Sequence, residues 1–255
     1  MNLLREKIKK NEKILGTLVC LCDPALCEII GNAGFDTVWI DTEHTYMSEK
    51  EVLCHLNAAR SQGVATVVRL PQNDLTATKK ILEMGPDGII FPMVRGLDEF
   101  LSLMDMTLYP PNGTRGFGPM RAIGYNAKNA LEYVREGSLD LCRFVQIESV
   151  EMIDELEKIA ANPYVDGFIF GPNDLSGSAG DFLNVFGENT EREIKRAIEI
   201  IKPYGKRIGV ACGYDRQTLE AWKRFDFDTV FAGADWNFIF EAAKNTLALM
   251  KETLK

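Results

Sequence analysis

The chain has 255 residues, 46% of them hydrophobic and 26% charged, and a net charge of −8. That size and balance suit a globular enzyme with enough chain to bury a sizeable core. The acidic excess argues against nucleic acid or an anionic membrane surface as partner, and no run approaches the roughly 18 apolar residues of a membrane span.

The first stretch, MNLLREKIKKN, carries charge where a signal peptide needs its apolar segment. It reads as a short helix at the start of a cytoplasmic protein. From Ile14 onward, short apolar runs alternate with longer amphipathic ones. Strands are expected at 14–22, 37–41, 65–71, 88–94, 141–148, 167–171, 207–213 and 229–235. They are rich in Val, Ile and Phe and mostly lack polar alternation, as strands covered on both faces should. Helices are expected at 23–34, 48–63, 73–85, 151–162, 190–205, 215–226 and 237–255, several opening on Asp or Ser and closing at Gly. Eight strands alternating with helices argue for an α/β protein with a closed (β/α)8 TIM barrel, one domain over residues 1–255. An open, doubly wound sheet is the alternative.

One segment breaks the rhythm. Residues 109–140, YPPNGTRGFGPMRAIGYNAKNALEYVREGSLD, are rich in Gly and Pro, hold Arg115 and Arg121, and are too long for a plain connection. The segment follows the place of a fourth helix, between the fourth and fifth strands, so it starts at the bottom of a barrel. It is expected to serve packing or assembly, the alternative being that it wraps upward to the site. The six cysteines form no CxxC pair and read as free thiols in a reducing cytosol.

In such a barrel the chemistry sits where strands end and the following loops begin. Four strands spend polar or charged residues there: Asp41, Glu43 and His44 after the second, Arg69 in the third, Gln146 and Glu148 in the fifth, and Asp174 after the sixth. Charge in an apolar run is costly unless it is paired or placed on a metal. Glu148 and Asp174, with Gln146 close by, make a hard oxygen site suited to Mg2+ or Mn2+, which keep waters and bind through one or two carboxylates. The alternative is that the two acids cap helices or pair with Arg69. Arg69 reads either as a structural ion-pair partner or as an oxyanion stabiliser. His44, three residues after Asp41, reads as a general base oriented by that carboxylate. His55, in the middle of a helix, reads as packing or surface. No strand carries a lysine within it or at its C-terminal end, and Lys206 lies at the entrance of the seventh. Schiff-base chemistry needs such a lysine, so a carbon–carbon lyase here would use a metal as its electron sink.

Six motifs in order, WIDTEHT, VVRLP, FPMV, YPPNGTRGFG, VQIES and GPNDLS, resemble those of the HpcH/HpaI aldolases, from about Gly16 to Asp235. The resemblance implies a TIM barrel of the phosphoenolpyruvate/pyruvate-binding type. It implies cleavage of a 4-hydroxy-2-oxo acid to pyruvate, or a close relative, and an aldehyde. It places a divalent metal (Mg2+, Mn2+ or Co2+) on Glu148 and Asp174. Gln146, with the turn of Gly171, Pro172, Asn173 and Asp174, would hold the substrate carboxylate. Arg69 would stabilise the transition state, and His44 would be the base, paired with Asp41. A carboxylate that raises the basicity of this histidine falls on Glu83, where a well-known member of the family has Asp. DTEH stands where the family usually reads Asp-Gly-Glu-His, so Thr42 replaces a glycine. The resemblance further implies a hexamer, a trimer of dimers, with the last helix exchanged between subunits. Phe240, Ala243, Leu247 and Met250 form an apolar stripe compatible with that. Two rival functions are a CoA-ester lyase of the citrate-lyase or malyl-CoA type and a non-catalytic barrel that binds a 2-oxo acid.

Overall fold

The computed structural model describes residues 2–71 and 74–254. Gln72 and Asn73, at the start of the helix expected from 73, lie outside the described residues. Eight parallel strands pair in sequence order and close on themselves: β1 (Ile14–Val19), β2 (Thr37–Asp41), β3 (Ala65–Arg69), β4 (Gly88–Phe91), β5 (Cys142–Ile147), β6 (Gly167–Phe170), β7 (Arg207–Cys212) and β8 (Thr229–Ala234). The helices are α1 (Leu3–Lys9), α2 (Ala25–Asn32), α3 (Glu49–Ser61), α4 (Leu75–Met84), α5 (Leu97–Asp105), α6 (Ala130–Glu132), α7 (Val150–Asp154), α8 (Leu156–Ala160), α9 (Pro172–Ser178), α10 (Glu188–Ile201), α11 (Arg216–Lys223) and α12 (Asp235–Thr253).

Local chemistry sets the helix ends. Ser48 and Glu51 form a reciprocal capping box on α3. Asp74 accepts from the amides of Thr76 and Ala77 at the start of α4, and Gly85 ends that helix at φ 69°. The expected helix at 151–162 is broken at Glu155 into α7 and α8. Three helices are absent from the expected set: α5 after β4, the short α6 within 109–140, and α9, which follows β6 directly.

Two apolar cores result. The larger lies between the strands and the surrounding helices. The smaller fills the barrel and includes Leu4, Trp39, Val67, Phe144, Ile169 and Phe231. Gly16 makes room for it: a Cβ there would sit 2.7 Å from the Phe231 ring and from Thr37. Phe231 in turn meets Trp39 edge-on at 5.1 Å between centroids.

Segment 109–140 packs under the barrel. Arg115 is buried, lies 4.5 Å from the centre of the Tyr109 ring and pairs with Glu83 at 3.1 Å. Arg121 binds Asn57 and the carbonyl of Met84. The upward path to the mouth is not the one taken. Six free cysteines are present, Cys27 and Cys142 among them buried.

Candidate active site

Strand periodicity builds the site. Side chains two residues apart share a face. Trp39, Val67, Phe144 and Ile169 point into the barrel, so the next inward positions toward the mouth are Asp41, Arg69, Gln146 and Gly171. Glu148 follows Gln146 on the same face. Register then pairs the first two: Asp41 and Arg69 are direct neighbours across β2 and β3.

That neighbour relation becomes a two-pronged ion pair. Arg69 Nε donates to Asp41 Oδ1 at 2.8 Å and Nη2 to Oδ2 at 2.6 Å. The guanidinium lies 5.2 Å from the centre of the Trp39 ring beneath it. Its Nη1 stands 3.1 Å from Glu43 Oε2. Burial alone would push the Asp41 carboxyl up, but Arg69, with the amides of Glu43 and His44, holds it below the ordinary carboxylate range. Glu43 goes the other way: burial raises it, and Asp41 and Asp174 add to the rise against the charges of Arg69 and His44.

These contacts correct two expectations. Asp41 does not orient the His44 ring, because its carboxylate is taken by Arg69; from His44 it accepts the backbone amide alone, at 3.5 Å. The carboxylate beside the imidazole is Glu43, 3.8 Å from Nε2. Glu83 does not reach His44 within the chain. It sits in the last turn of α4, which runs away from the mouth, and pairs there with Arg115. Thr42 turns its hydroxyl back onto the carbonyl of Arg69. His55 is buried, with its Nδ1 3.4 Å from the Cys27 sulfur.

Glu148 is fixed from two sides. Gln146 Nε2 donates to its Oε1 at 2.6 Å, and the Met93 amide donates to Oε2 at 2.8 Å. The second bond explains why β4 ends before its expected limit. Pro92 has no N–H to give, and Met93 turns to φ 52° to meet Glu148. Burial pushes the Glu148 carboxyl up to about 7, with Glu43 and Asp174 acting in the same direction against the Met93 amide and Arg69. Asp174 is exposed in the first turn of α9. Gly171 starts that turn close against the site: a Cβ there would lie 2.6 Å from Glu148 Oε1 and 2.8 Å from Gln146 Nε2.

The donor set fits a hard divalent cation. Among the described residues no three His, Cys, Asp or Glu side chains form a closed metal cage. Glu148 and Asp174 instead make an open pair, whose other positions would go to water and substrate. Gln146 Oε1 is buried beside them with no hydrogen-bond partner. Asp41, Glu43 and Glu148 lie within reach of the Arg69 charge, and Asp174 acts on Glu43 and Glu148, so acids outnumber the buried arginine here. Lys206 is at the opposite end, bound to the carbonyls of Asn162 and Val165.

The family profile described as HpcH/HpaI aldolase/citrate lyase matches residues 16–214. A hydroxypyruvate/pyruvate aldolase of Roseovarius nubinhibens is 28% identical over 247 residues, covering 97% of this chain and 96% of its own. A 4-hydroxy-2-oxo-heptane-1,7-dioate aldolase of Klebsiella pneumoniae subsp. pneumoniae is 31% identical over 209 residues, covering 82% of this chain and 79% of its own. The crystal structure of an HpcH/HpaI aldolase/citrate lyase family protein from Burkholderia cenocepacia J2315 superposes with a TM-score of 0.90 at 25% identity, covering 98% of this chain and 100% of that one. The profile runs from β1 into the turn after β7 and so takes in every polar group of the mouth described above. The chain belongs to the HpcH/HpaI aldolase/citrate lyase family and is an enzyme of the carbon–carbon lyase class.

Proposed function

We propose that this enzyme is a divalent-cation-dependent aldolase that cleaves a 4-hydroxy-2-oxo acid into pyruvate, or a close relative such as hydroxypyruvate, and an aldehyde. The observation that supports it most is the make-up of the mouth. Asp41 and Glu43 pair with one buried guanidinium, Glu148 and Asp174 stand close by, and a buried amide oxygen of Gln146 is left unpaired beside Glu148. The names of the relatives, hydroxypyruvate/pyruvate aldolase and 4-hydroxy-2-oxo-heptane-1,7-dioate aldolase, agree with it.

Glu148 and Asp174 would hold the ion, and Mg2+, Mn2+ and Co2+ all suit such a site. When bound, it supplies Lewis-acid stabilisation of negative charge on the 2-keto oxygen. The chain's own groups do the rest. Gln146 and the first-turn amides of Asn173 and Asp174 receive the 1-carboxylate, over a turn that Gly171 and Pro172 hold close to Glu148. Arg69, held in place by Asp41 and Glu43, faces the developing enolate oxygen. His44 takes the proton of the C4 hydroxyl, directly or through a water. Glu43, 3.8 Å away, favours the resulting imidazolium. Loss of that proton lets the C3–C4 bond break, its electron pair moving into the enolate as the aldehyde forms. Return of a proton to C3 gives pyruvate.

A homo-oligomer belongs to the same reading, as a hexamer built from three dimers. Only Asp235 of α12 is buried, while Phe240, Leu247 and Met250 lie half exposed or more along one stripe. Such a stripe suits a second copy of the chain. A panel of 4-hydroxy-2-oxo acids that differ beyond C4, with pyruvate counted by lactate dehydrogenase, tests the activity. Pyruvate from at least one member, with no borohydride-trapped adduct on the protein, is expected. No pyruvate from any member, or a trapped pyruvyl-lysine, would overturn the proposal.

A further inference from the structure

We infer that the aldehyde half of the substrate is uncharged and apolar, and that it lies in a cavity between the ends of β7, β8 and β1. The inference rests on the aldolase reading and deepens it. A cavity of about 830 Å³ opens at the mouth, walled by Arg69 and His44 on one side and by Pro172 and Asn173 of the α9 turn on another. The neighbouring hollow toward β4 also touches His44 but meets neither Arg69 nor that turn. A substrate whose 2-oxo acid end lies among Glu148, Asp174 and Arg69, with its C4 hydroxyl at His44, therefore carries its remaining chain into the first cavity.

The far wall of that cavity is apolar and aromatic, formed by Leu18, Leu21, Ala211, Tyr214, Trp222 and Trp236. Ring contacts fix it. Tyr214 meets Phe238 edge-on at 5.3 Å, and Trp222 packs at 4.8 Å on Phe186, which also lines the cavity. Gly233, at φ 68°, leaves room for the Tyr214 ring, which a Cβ there would approach to 3.0 Å. A wall fixed this way can bind an apolar chain through burial and ring contacts.

Charge points the same way. Arg69 is the one Lys or Arg in the lining among the described residues, and Asp41 and Glu43 already engage it. A distal carboxylate would enter an acid-rich mouth without a free cation to meet it. The hollow toward β4 does hold Arg95, but with Glu43, Asp74 and Glu99 around it, three acids to one base.

The test uses the metal-loaded enzyme in the synthetic direction, with pyruvate fixed and two aldehydes of similar length, pentanal and 4-oxobutanoate. Exchange of the pyruvate C3 protons in deuterium oxide, followed by NMR without aldehyde, reports enolate formation separately. Exchange is expected, with kcat/KM for pentanal above that for 4-oxobutanoate by about tenfold or more. Asn237→Lys, which adds a cation to the cavity wall, should narrow that ratio. Exchange with equal or better use of 4-oxobutanoate overturns this inference and leaves the aldolase reading standing. A complete lack of exchange overturns both.

Discussion

Arg69 holds two acids in place, and its removal has two separable consequences. Arg69→Ala leaves Asp41 and Glu43 buried without their cation, which should cost about 3–5 kcal/mol of stability, read from the urea midpoint. If Arg69 also serves the enolate, kcat falls by about 10²–10³. Arg69→Lys restores the charge without the planar fork, so it should recover more stability than rate. An unchanged kcat in Arg69→Ala would remove the residue from the chemistry. Glu148 gives a pH prediction. Its carboxyl is raised from 4.5 to about 7 in the folded chain. The folded protein therefore keeps a proton that the unfolded chain has released. This contribution to stability is present below about pH 4.5 and is lost as pH rises through about 7. A cation competes with that proton, so its affinity climbs over the same window. The rise in Tm on adding Mn2+ should be larger at pH 8 than at pH 6, and an equal rise would contradict the assignment. At this scale the sequence displayed Asp41, Arg69, Gln146 and Glu148 because polar side chains interrupt apolar strands. Glu43 was visible at the end of the second strand but its part was not, because the spacing of Asp41 and His44 suggests a pair that only the β2–β3 register dissolves.

The strands and most helices were readable from apolar periodicity and capping residues, but α5, α6 and α9 were missed, and the strand ends near the mouth were not readable. β1 stops at Val19 because Asp235 takes the amides of Cys20 and Leu21, at 3.0 and 2.9 Å. β4 stops because Glu148 takes the amide of Met93. Both captures join segments distant in the chain, so no local pattern announces them. They also make predictions. Asp235→Ala leaves two amides without their acceptor and should cost about 1–3 kcal/mol in chemical denaturation. Gly171 sits at φ −98°, a value open to any residue, so Gly171→Ala tests crowding alone. The added methyl would press on Glu148 and Gln146, and Mn2+ affinity measured by calorimetry should fall by about 10–100-fold. Unchanged affinity would mean that Glu148 does not need its present position.

Across the whole molecule, eight strands alternating with helices were enough to expect a closed barrel, and eight paired strands form it. The path of residues 109–140 beneath the barrel depends on pairs such as Arg115 with Glu83, which composition does not disclose. Helix α12, about 28 Å long, has its apolar stripe uncovered in a single chain. The Leu247→Glu and Met250→Glu double variant should sediment as a smaller species than the unaltered protein, and identical sedimentation would assign the stripe another role. The account as a whole turns on a cation at Glu148 and Asp174 driving cleavage. The most direct measurement is pyruvate release from a 4-hydroxy-2-oxo acid by protein dialysed against EDTA, before and after Mn2+ is restored. The account predicts that release is lost on dialysis and returns with the metal in the unaltered protein, but not in Glu148→Gln. Release that survives EDTA would contradict it.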